Sequence, residues 1–316
     1  MNVARRFLAV AILAVALAPS MGGAEPSDGT PPRGPIRVVV WDERQPEQKQ
    51  AYDNFLGNHI ATELGRREGI EVRSVGLDDA EQGLAPEIID FAEVMIWWSH
   101  RRNADVKPDK AAAIAAKVKA GRLTFVALHS AHWARPFTDL MDERAREDVR
   151  RAFADVPADK LAIKEVPARR GIPKADARLT PATDVERLPD GHVNVTLHLP
   201  ICVFPKWRTD GKPSTITVVA ADHPLAAGLP ASFQLERTEM YAEPYHVPAP
   251  DTVVCEERWA AGEWFRSVMT WRVGEGRVIY VRPGHETYTI FKDATMLRLL
   301  ENAVRWGDPE AGTTTP

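Results

Sequence analysis

Three histidines of this 316-residue chain are the side chains best suited to do chemistry. His100, His129 and His285 each come one to four residues after the end of an apolar, strand-like run. Imidazoles bind metal ions such as zinc, and they also exchange protons with carboxylates such as Glu286. The sequence leaves both chemistries open. For a divalent metal ion the candidate ligands are His100, His129, His132 and Glu239.

Ser130 offers a third chemistry, because it follows a strand where a hydrolase would carry a nucleophile. Such a nucleophile elbow has glycine two residues before and two residues after the serine. Here Leu128 and His132 occupy those places, which disfavours a serine hydrolase without excluding it. The candidate catalytic residues are His129, His285, Glu286 and Ser130.

Aromatic and charged side chains near these histidines suit the recognition of a sugar. Trp207 beside Arg208 combines a stacking surface with hydrogen-bond donors, although a structural cation–π pair is an equal alternative. In an extended segment Glu239, Tyr241 and Glu243 would point to the same side, where a solvated strand face is the other interpretation. The candidate substrate-binding residues are Trp98, Trp207, Arg208, Tyr241 and Glu243.

The elements that carry these residues alternate between strands and helices. Apolar runs at 36–41, 70–75 and 123–128 are typical of buried strands, and the segment 108–120 is an alanine-rich helix. This alternation predicts βαβ units and an α/β fold with a mostly parallel central sheet. Ligands of such sheets bind beyond the carboxyl ends of the strands, which is where the histidines fall.

Both ends of the chain differ from this core. Residues 1–24 combine two arginines, an apolar run and a small-residue site, which predicts a signal peptide and a secreted or periplasmic protein. Residues 25–35 form a polar tether, and residues 307–316 are predicted to be a disordered tail. The proline-rich stretch within 142–200 predicts an insertion or elaborated loop, with a lid as one role. The sequence has no second apolar span of the length that would predict a membrane anchor after cleavage.

Composition limits the classes of molecule that the protein is expected to bind. The formal net charge is -4 with a pI near 6.2, which disfavours nucleic-acid binding. The expected partner is a small-molecule carbohydrate. The sequence has no evident motif for a nucleotide cofactor, and it leaves open whether the protein forms a homo-oligomer. The two cysteines, Cys202 and Cys255, are either paired or separate buried thiols, and they are too few for a zinc–cysteine cluster.

Segments from one end of the core to the other resemble the trehalose-utilisation (ThuA-like) family, a branch of the class I glutamine-amidotransferase-like superfamily. The resemblance spans residues 36–306 apart from the insertion. It rests on RVVVWDE, VMIWWSH, LTFVALHSAHW, CVFPKWR, EMYAEPYHVPAPD and GRVIYVRPGHETY.

The resemblance implies a flavodoxin-like, three-layer sandwich and a role in the catabolism of trehalose or related disaccharides through 3-keto-sugar intermediates. The superfamily's cysteine nucleophile is replaced here by Ser130 or its neighbour His129, so glutaminase activity is not expected. We therefore predict a keto-sugar isomerase, hydrolase or lyase with a His/Glu site that works by acid/base or metal-assisted chemistry. The alternative is a non-catalytic sugar-binding or interaction protein on the same scaffold.

Overall fold

The computed structural model of the protein describes residues 34–312. The predicted signal peptide and almost all of the predicted tether lie outside these residues. None of the helices within 34–312 has the length and apolar character that a membrane span needs.

Strands are the main elements of the described chain, and five helices accompany them. The strands are β1 (Ile36–Asp42), β2 (Ile70–Gly76), β3 (Val94–Trp98), β4 (Thr124–Leu128), β5 (Leu161–Val166), β6 (Ala182–Arg187), β7 (Val193–His198), β8 (Lys206–Arg208), β9 (Ser214–Val218), β10 (Ser232–Leu235), β11 (Met240–Ala242), β12 (Thr252–Trp259), β13 (Trp264–Val273) and β14 (Gly276–Val281). The helices are α1 (Leu56–Gly65), α2 (Pro86–Phe91), α3 (Pro108–Lys119), α4 (Arg135–Ala152) and α5 (Ala294–Gly307).

Nine strands form the central sheet in the order β10-β9-β12-β13-β14-β4-β3-β1-β2. The pairs from β14 to β2 are parallel, whereas the pairs from β10 to β14 are antiparallel. The α/β class is therefore confirmed, but the prediction of a mostly parallel sheet is wrong. Only residues 274–275 separate β13 from β14. A parallel connection needs a crossover of a dozen or more residues, so this short turn enforces an antiparallel hairpin.

Helices cover both faces of the sheet and make it the middle of three layers. Successive side chains of a strand point to opposite faces. In β1, Val39 and Trp41 belong to a core shared with α2, α3 and α4, while Val38 and Val40 belong to a core shared with α1 and α5. Burial on both faces explains why β1 is a continuous apolar run. Each such side chain contributes about 1.5–3 kcal/mol when it is fully buried.

The region predicted as an insertion contains regular structure that the sequence did not reveal. Strands β5, β7 and β6 form a small separate sheet in that order. Val193, Val195 and Leu197 of β7 are buried with Val149 and Phe153 on and just after α4. Strands β5 and β6 flank β7 and are largely exposed, so neither has the alternation of buried and exposed residues that marks β7.

Candidate active site

The site lies where four neighbouring parallel strands end. In the sheet, β14, β4, β3 and β1 are adjacent. Trp98, Leu128 and Val281 are the last residues of β3, β4 and β14, and they stand side by side in the register of the sheet. The loops that follow therefore start at the same level, and they bring His285 close to His100 and His129, which precede it by 185 and 156 residues.

Three imidazole rings surround one small volume at this edge. The ring centroids of His100 and His285 are 5.4 Å apart, those of His129 and His285 are 5.5 Å apart, and those of His100 and His129 are 5.8 Å apart. Each pair is steeply inclined, with interplanar angles of 68–72°. The three rings thus enclose a common space and do not stack on one another.

His129 occupies the sharp turn between β4 and a short 3₁₀ helix. Its backbone φ is 52°, a conformation that bulky residues adopt only where the surrounding structure holds it. The hydroxyl of Tyr280 donates to the His129 carbonyl over 2.9 Å. Ring atom Nδ1 lies 3.1 Å from the carbonyl oxygen of Arg282 and donates to it. Nε2 is consequently the proton-accepting nitrogen whenever the ring is neutral.

Glu239 faces that nitrogen. Its Oε2 atom is buried and lies 3.0 Å from His129 Nε2. Burial alone would raise the pKa of Glu239, but the nearby His129 outweighs burial and lowers it. The hydroxyl of Tyr241 lies 3.3 Å from the same nitrogen. His129 and Glu239 therefore form a pair that can share one proton.

His100 and Glu286 form a second pair. His100 Nδ1 lies 2.9 Å from both carboxylate oxygens of Glu286, so the ring donates to the carboxylate. Burial raises the pKa of Glu286, but the hydrogen bond from His100 outweighs it and brings the pKa to about 2. Burial also opposes the charge on His100, yet Glu286 raises the pKa of that ring. Glu43 fixes the loop, because its carboxylate accepts the backbone N–H of His100 over 2.8 Å.

His285 completes the cluster and is held as a neutral ring. Burial and the neighbouring His129 lower its pKa to about 4. The backbone N–H of Thr287 donates to its Nδ1 atom over 3.3 Å. Ligand atoms of His100, His285 and Glu286 all lie within 4.8 Å of one another, so these three side chains can hold a metal ion.

This set shares only His100 with the metal ligands predicted from sequence. His132 turns away, because its Nδ1 atom donates to the Cys202 carbonyl over 2.7 Å and its ring packs beside Phe204. Burial lowers the pKa of His132 to about 3. His132 therefore stays neutral beside the site and is not part of the three-ligand set.

Ser130 is not arranged as a nucleophile. Its hydroxyl lies 3.0 Å from the hydroxyl of Tyr241 and has no direct hydrogen bond to an imidazole or a carboxylate of the described residues. The strained turn position belongs to His129. Cys202 and Cys255 are free and buried, and burial raises both thiol pKa values to about 12, so neither can replace the missing nucleophile.

The predicted substrate-binding residues divide into two groups. Tyr241 and Trp207 line a lobe of about 250 Å³ next to the histidines, and Trp207 is 47% exposed. Trp98 is fully buried and donates from Nε1 to the Gly284 carbonyl, which supports the loop that carries His285. The other two are held in ion pairs away from the lobe, Arg208 by Glu263 and Asp210, and Glu243 by Arg266.

Several residues that shape the site escaped sequence reasoning. Trp133 and Ile172 line the lobe, the latter from the proline-rich part of the predicted insertion. Arg282 is buried beneath the site and donates to the backbone carbonyl of Glu239. A signal existed for Trp133, which directly follows His132, and for Arg282, which directly follows β14. The sequence contains none for Ile172.

Comparison with known proteins agrees with this architecture. The model of the family described as "ThuA: Trehalose utilisation" matches residues 37–307. The chain belongs to the ThuA family. The resemblance inferred from the sequence motifs is thereby confirmed.

Two solved ThuA-like proteins are similar in structure. The protein from Bacteroides uniformis is 16% identical with a TM-score of 0.52, and the match covers 90% of this chain and 99% of that one. The protein from Parabacteroides merdae is 13% identical with a TM-score of 0.55, covering 87% of this chain and 90% of that one. At such identities the likeness supports the fold alone. Comparison with curated proteins finds no match.

Proposed function

We propose that this ThuA-family protein is an enzyme of carbohydrate catabolism that acts on an oxidised disaccharide, a 3-keto-glycoside. Its first step is removal of a proton from a carbon next to the carbonyl. The observation that carries the proposal is the buried His129–Glu239 pair beside the His100–His285–Glu286 cluster, with Glu239 and His100 lining the same small lobe. Because the sequence predicts a signal peptide, we propose that the protein acts outside the cytoplasm.

The chain's own residues supply the proton acceptor. With the C–H bond directed at His129 Nε2 and Glu239 Oε2, the pair accepts the proton while the C–H electrons move to the carbonyl oxygen. The Arg282 carbonyl holds the Nδ1 proton of His129, which leaves Nε2 as the reacting nitrogen. In isomerisation the proton returns to the former carbonyl carbon while the hydroxyl proton of the deprotonated carbon passes to the enolate oxygen, so that the carbonyl group moves by one carbon. In cleavage the enolate re-forms the carbonyl and expels the glycosidic oxygen, which takes the abstracted proton from the pair. Both outcomes share the first step.

In this proposal the carbonyl oxygen of the substrate lies on the side of the lobe lined by His100. We propose that His100, His285 and Glu286 hold a divalent metal ion such as zinc there, because two imidazoles and a carboxylate are a common ligand set for zinc in enzymes. When bound, such an ion supplies polarisation of the carbonyl group. Trp207, which is half exposed beside the lobe, offers its ring to the apolar face of the sugar.

Metal binding can be tested without any substrate. Titration of chelator-treated protein with zinc should raise its melting temperature, since a ligand that binds only the folded state stabilises that state. The His285→Ala and Glu286→Gln variants should lose this shift, because each lacks one ligand. His59→Ala is the matched control, since His59 Nε2 lies 2.9 Å from the Phe291 carbonyl, outside the cluster. An equal zinc shift in wild type and both ligand variants would contradict the assignment.

A further inference from the structure

A second cavity adjoins the lobe of about 250 Å³ that Glu239 and Tyr241 line, which we call the reactive lobe. It has a volume of about 420 Å³, and His100 and Trp133 line both spaces. The two lobes together fall within the ~300–1,000 Å³ range of small-molecule sites, whereas the reactive lobe alone is smaller than that range. The reactive lobe therefore has room for part of a glycoside, and the adjoining cavity has room for the remainder.

Two side chains in this cavity lack partners. Arg135 and Asp139 lie one turn apart on the same side of α4, a spacing at which opposite charges ordinarily pair. Neither side chain makes a hydrogen bond or an ion pair with any residue of the described part of the chain. Arg101 and Arg170, which also line the cavity, are each occupied by a carboxylate, from Glu47 and Asp142 respectively. The cavity thus presents one free donor group and one free acceptor group.

This pairing of free groups selects the chemistry of a ligand. A carboxylate only accepts hydrogen bonds and a guanidinium only donates them, whereas a sugar hydroxyl does both. Asp139 is half-buried, so its unpaired carboxylate is partly desolvated until a donor reaches it. An anionic ligand would pair with Arg135, but its charged group has no donor for the carboxylate of Asp139. The cavity therefore fits a neutral, polyhydroxylated ring.

We propose that this cavity is the subsite for the second sugar ring of the substrate, bound by hydroxyl contacts to Arg135 and Asp139, with Trp133 between the two rings. The subsite rests on the proposed function in one respect only, namely that the reacting ring occupies the neighbouring lobe. It assigns substrate recognition to the start of α4 and to the Arg170 segment of the predicted insertion.

Calorimetric titration of wild-type protein with two neutral probes tests the subsite. Trehalose, which has two rings, should bind more tightly than methyl α-glucoside, which has one. Hydrogen bonds to charged groups are strong enough that Arg135→Ala and Asp139→Asn should each reduce the trehalose-to-methyl-glucoside affinity ratio by about tenfold or more. Arg150→Ala is the matched control, because this exposed arginine of the same helix contacts Glu143 and not the cavity. It should leave the ratio unchanged.

The outcomes separate this proposal from the proposed function. Unchanged ratios in both variants, or equal wild-type affinities for the two probes, would overturn the subsite and leave the proton-abstraction proposal standing. Tighter binding of trehalose 6-phosphate, further strengthened by Asp139→Asn, would show an anion site and also overturn it. A third outcome is that trehalose binds, the two variants lower the affinity ratio as expected, and the protein turns over no keto-glycoside. This outcome would support the subsite and contradict the proposed catalytic function.

Discussion

Replacement of Glu239 by Gln is expected to lower kcat for a 3-keto-disaccharide by about 10²–10⁴-fold, the usual contribution of a positioned acid/base group. The amide keeps the size of the carboxylate but cannot take up the proton that His129 Nε2 shares with Glu239 Oε2. Steady-state rates of the purified variant measure the loss. His129→Ala should have a loss of similar size, because the two groups act as one pair.

Glu236→Gln is the matched control for this measurement. It makes the same change three residues earlier, at an exposed glutamate outside the reactive lobe. The control should retain the wild-type rate. A folded Glu239→Gln protein that keeps more than about a tenth of the wild-type kcat would contradict the assigned role, because that loss falls below the range for such catalysis.

Replacement of Arg282 by Met is expected to lower the free energy of unfolding by about 3–5 kcal/mol, the cost of leaving one member of a buried ion pair alone. Arg282 and Glu257 are both 0% exposed in their side chains, and the guanidinium contacts both carboxylate oxygens. It also donates to the Thr238 hydroxyl over 3.0 Å. Urea denaturation measures the change.

A second variant separates the lost pair from lost packing. Arg282→Met combined with Glu257→Leu removes both charges and should recover a large part of the stability lost by Arg282→Met alone. A single variant that loses less than about 1 kcal/mol would contradict the account, since that is far below the cost of an unpaired buried charge. The recovered double variant should still have a low kcat, because Arg282 donates to the carbonyl of Glu239.

The clustering of the three histidines could be predicted from the sequence, because neighbouring parallel strands end at the same edge of a sheet. The apolar runs before His100, His129 and His285 became β3, β4 and β14, which are neighbours in the sheet. Only their order along the sheet was needed to bring the three rings within 6 Å of one another. Local pattern and a general rule for ligand sites in α/β sheets were sufficient.

The partners of these histidines could not be predicted, because they depend on contacts between distant parts of the chain. Glu239 and Glu243 alternate with Tyr241, yet only Glu239 reaches His129, while Glu243 is held by Arg266 of β13. The positive φ of His129 could not be predicted either, since only a few per cent of residues other than glycine adopt one. Long-range packing decides which of two similar carboxylates enters the site.

The antiparallel half of the sheet and the small sheet within 142–200 show two different failures of sequence reasoning. The two-residue turn at 274–275 is typical of a β-hairpin, and a hairpin makes β13 and β14 antiparallel, contrary to the prediction of a mostly parallel sheet. Strands β5 and β6, by contrast, are edge strands with little burial, so burial does not impose on them the alternation of apolar and polar residues that identifies a half-buried strand.

We propose that the site has two sides, one that accepts the proton and one that binds the carbonyl oxygen. His129 and Glu239 form the first, with their geometry held by the Arg282 backbone and side chain. His100, His285 and Glu286 form the second. In this proposal the His129–Glu239 pair removes a proton next to the carbonyl before any other bond of the glycoside changes.

The most direct test follows deuterium placed on the carbons next to the carbonyl of a 3-keto-disaccharide. Nuclear magnetic resonance of the products should show that deuterium leaves its original carbon at each turnover by the wild-type protein, whether the product is an isomer or two separate sugars. Glu239→Gln should slow this departure as much as it slows kcat. Turnover with the deuterium retained on its original carbon would contradict the account.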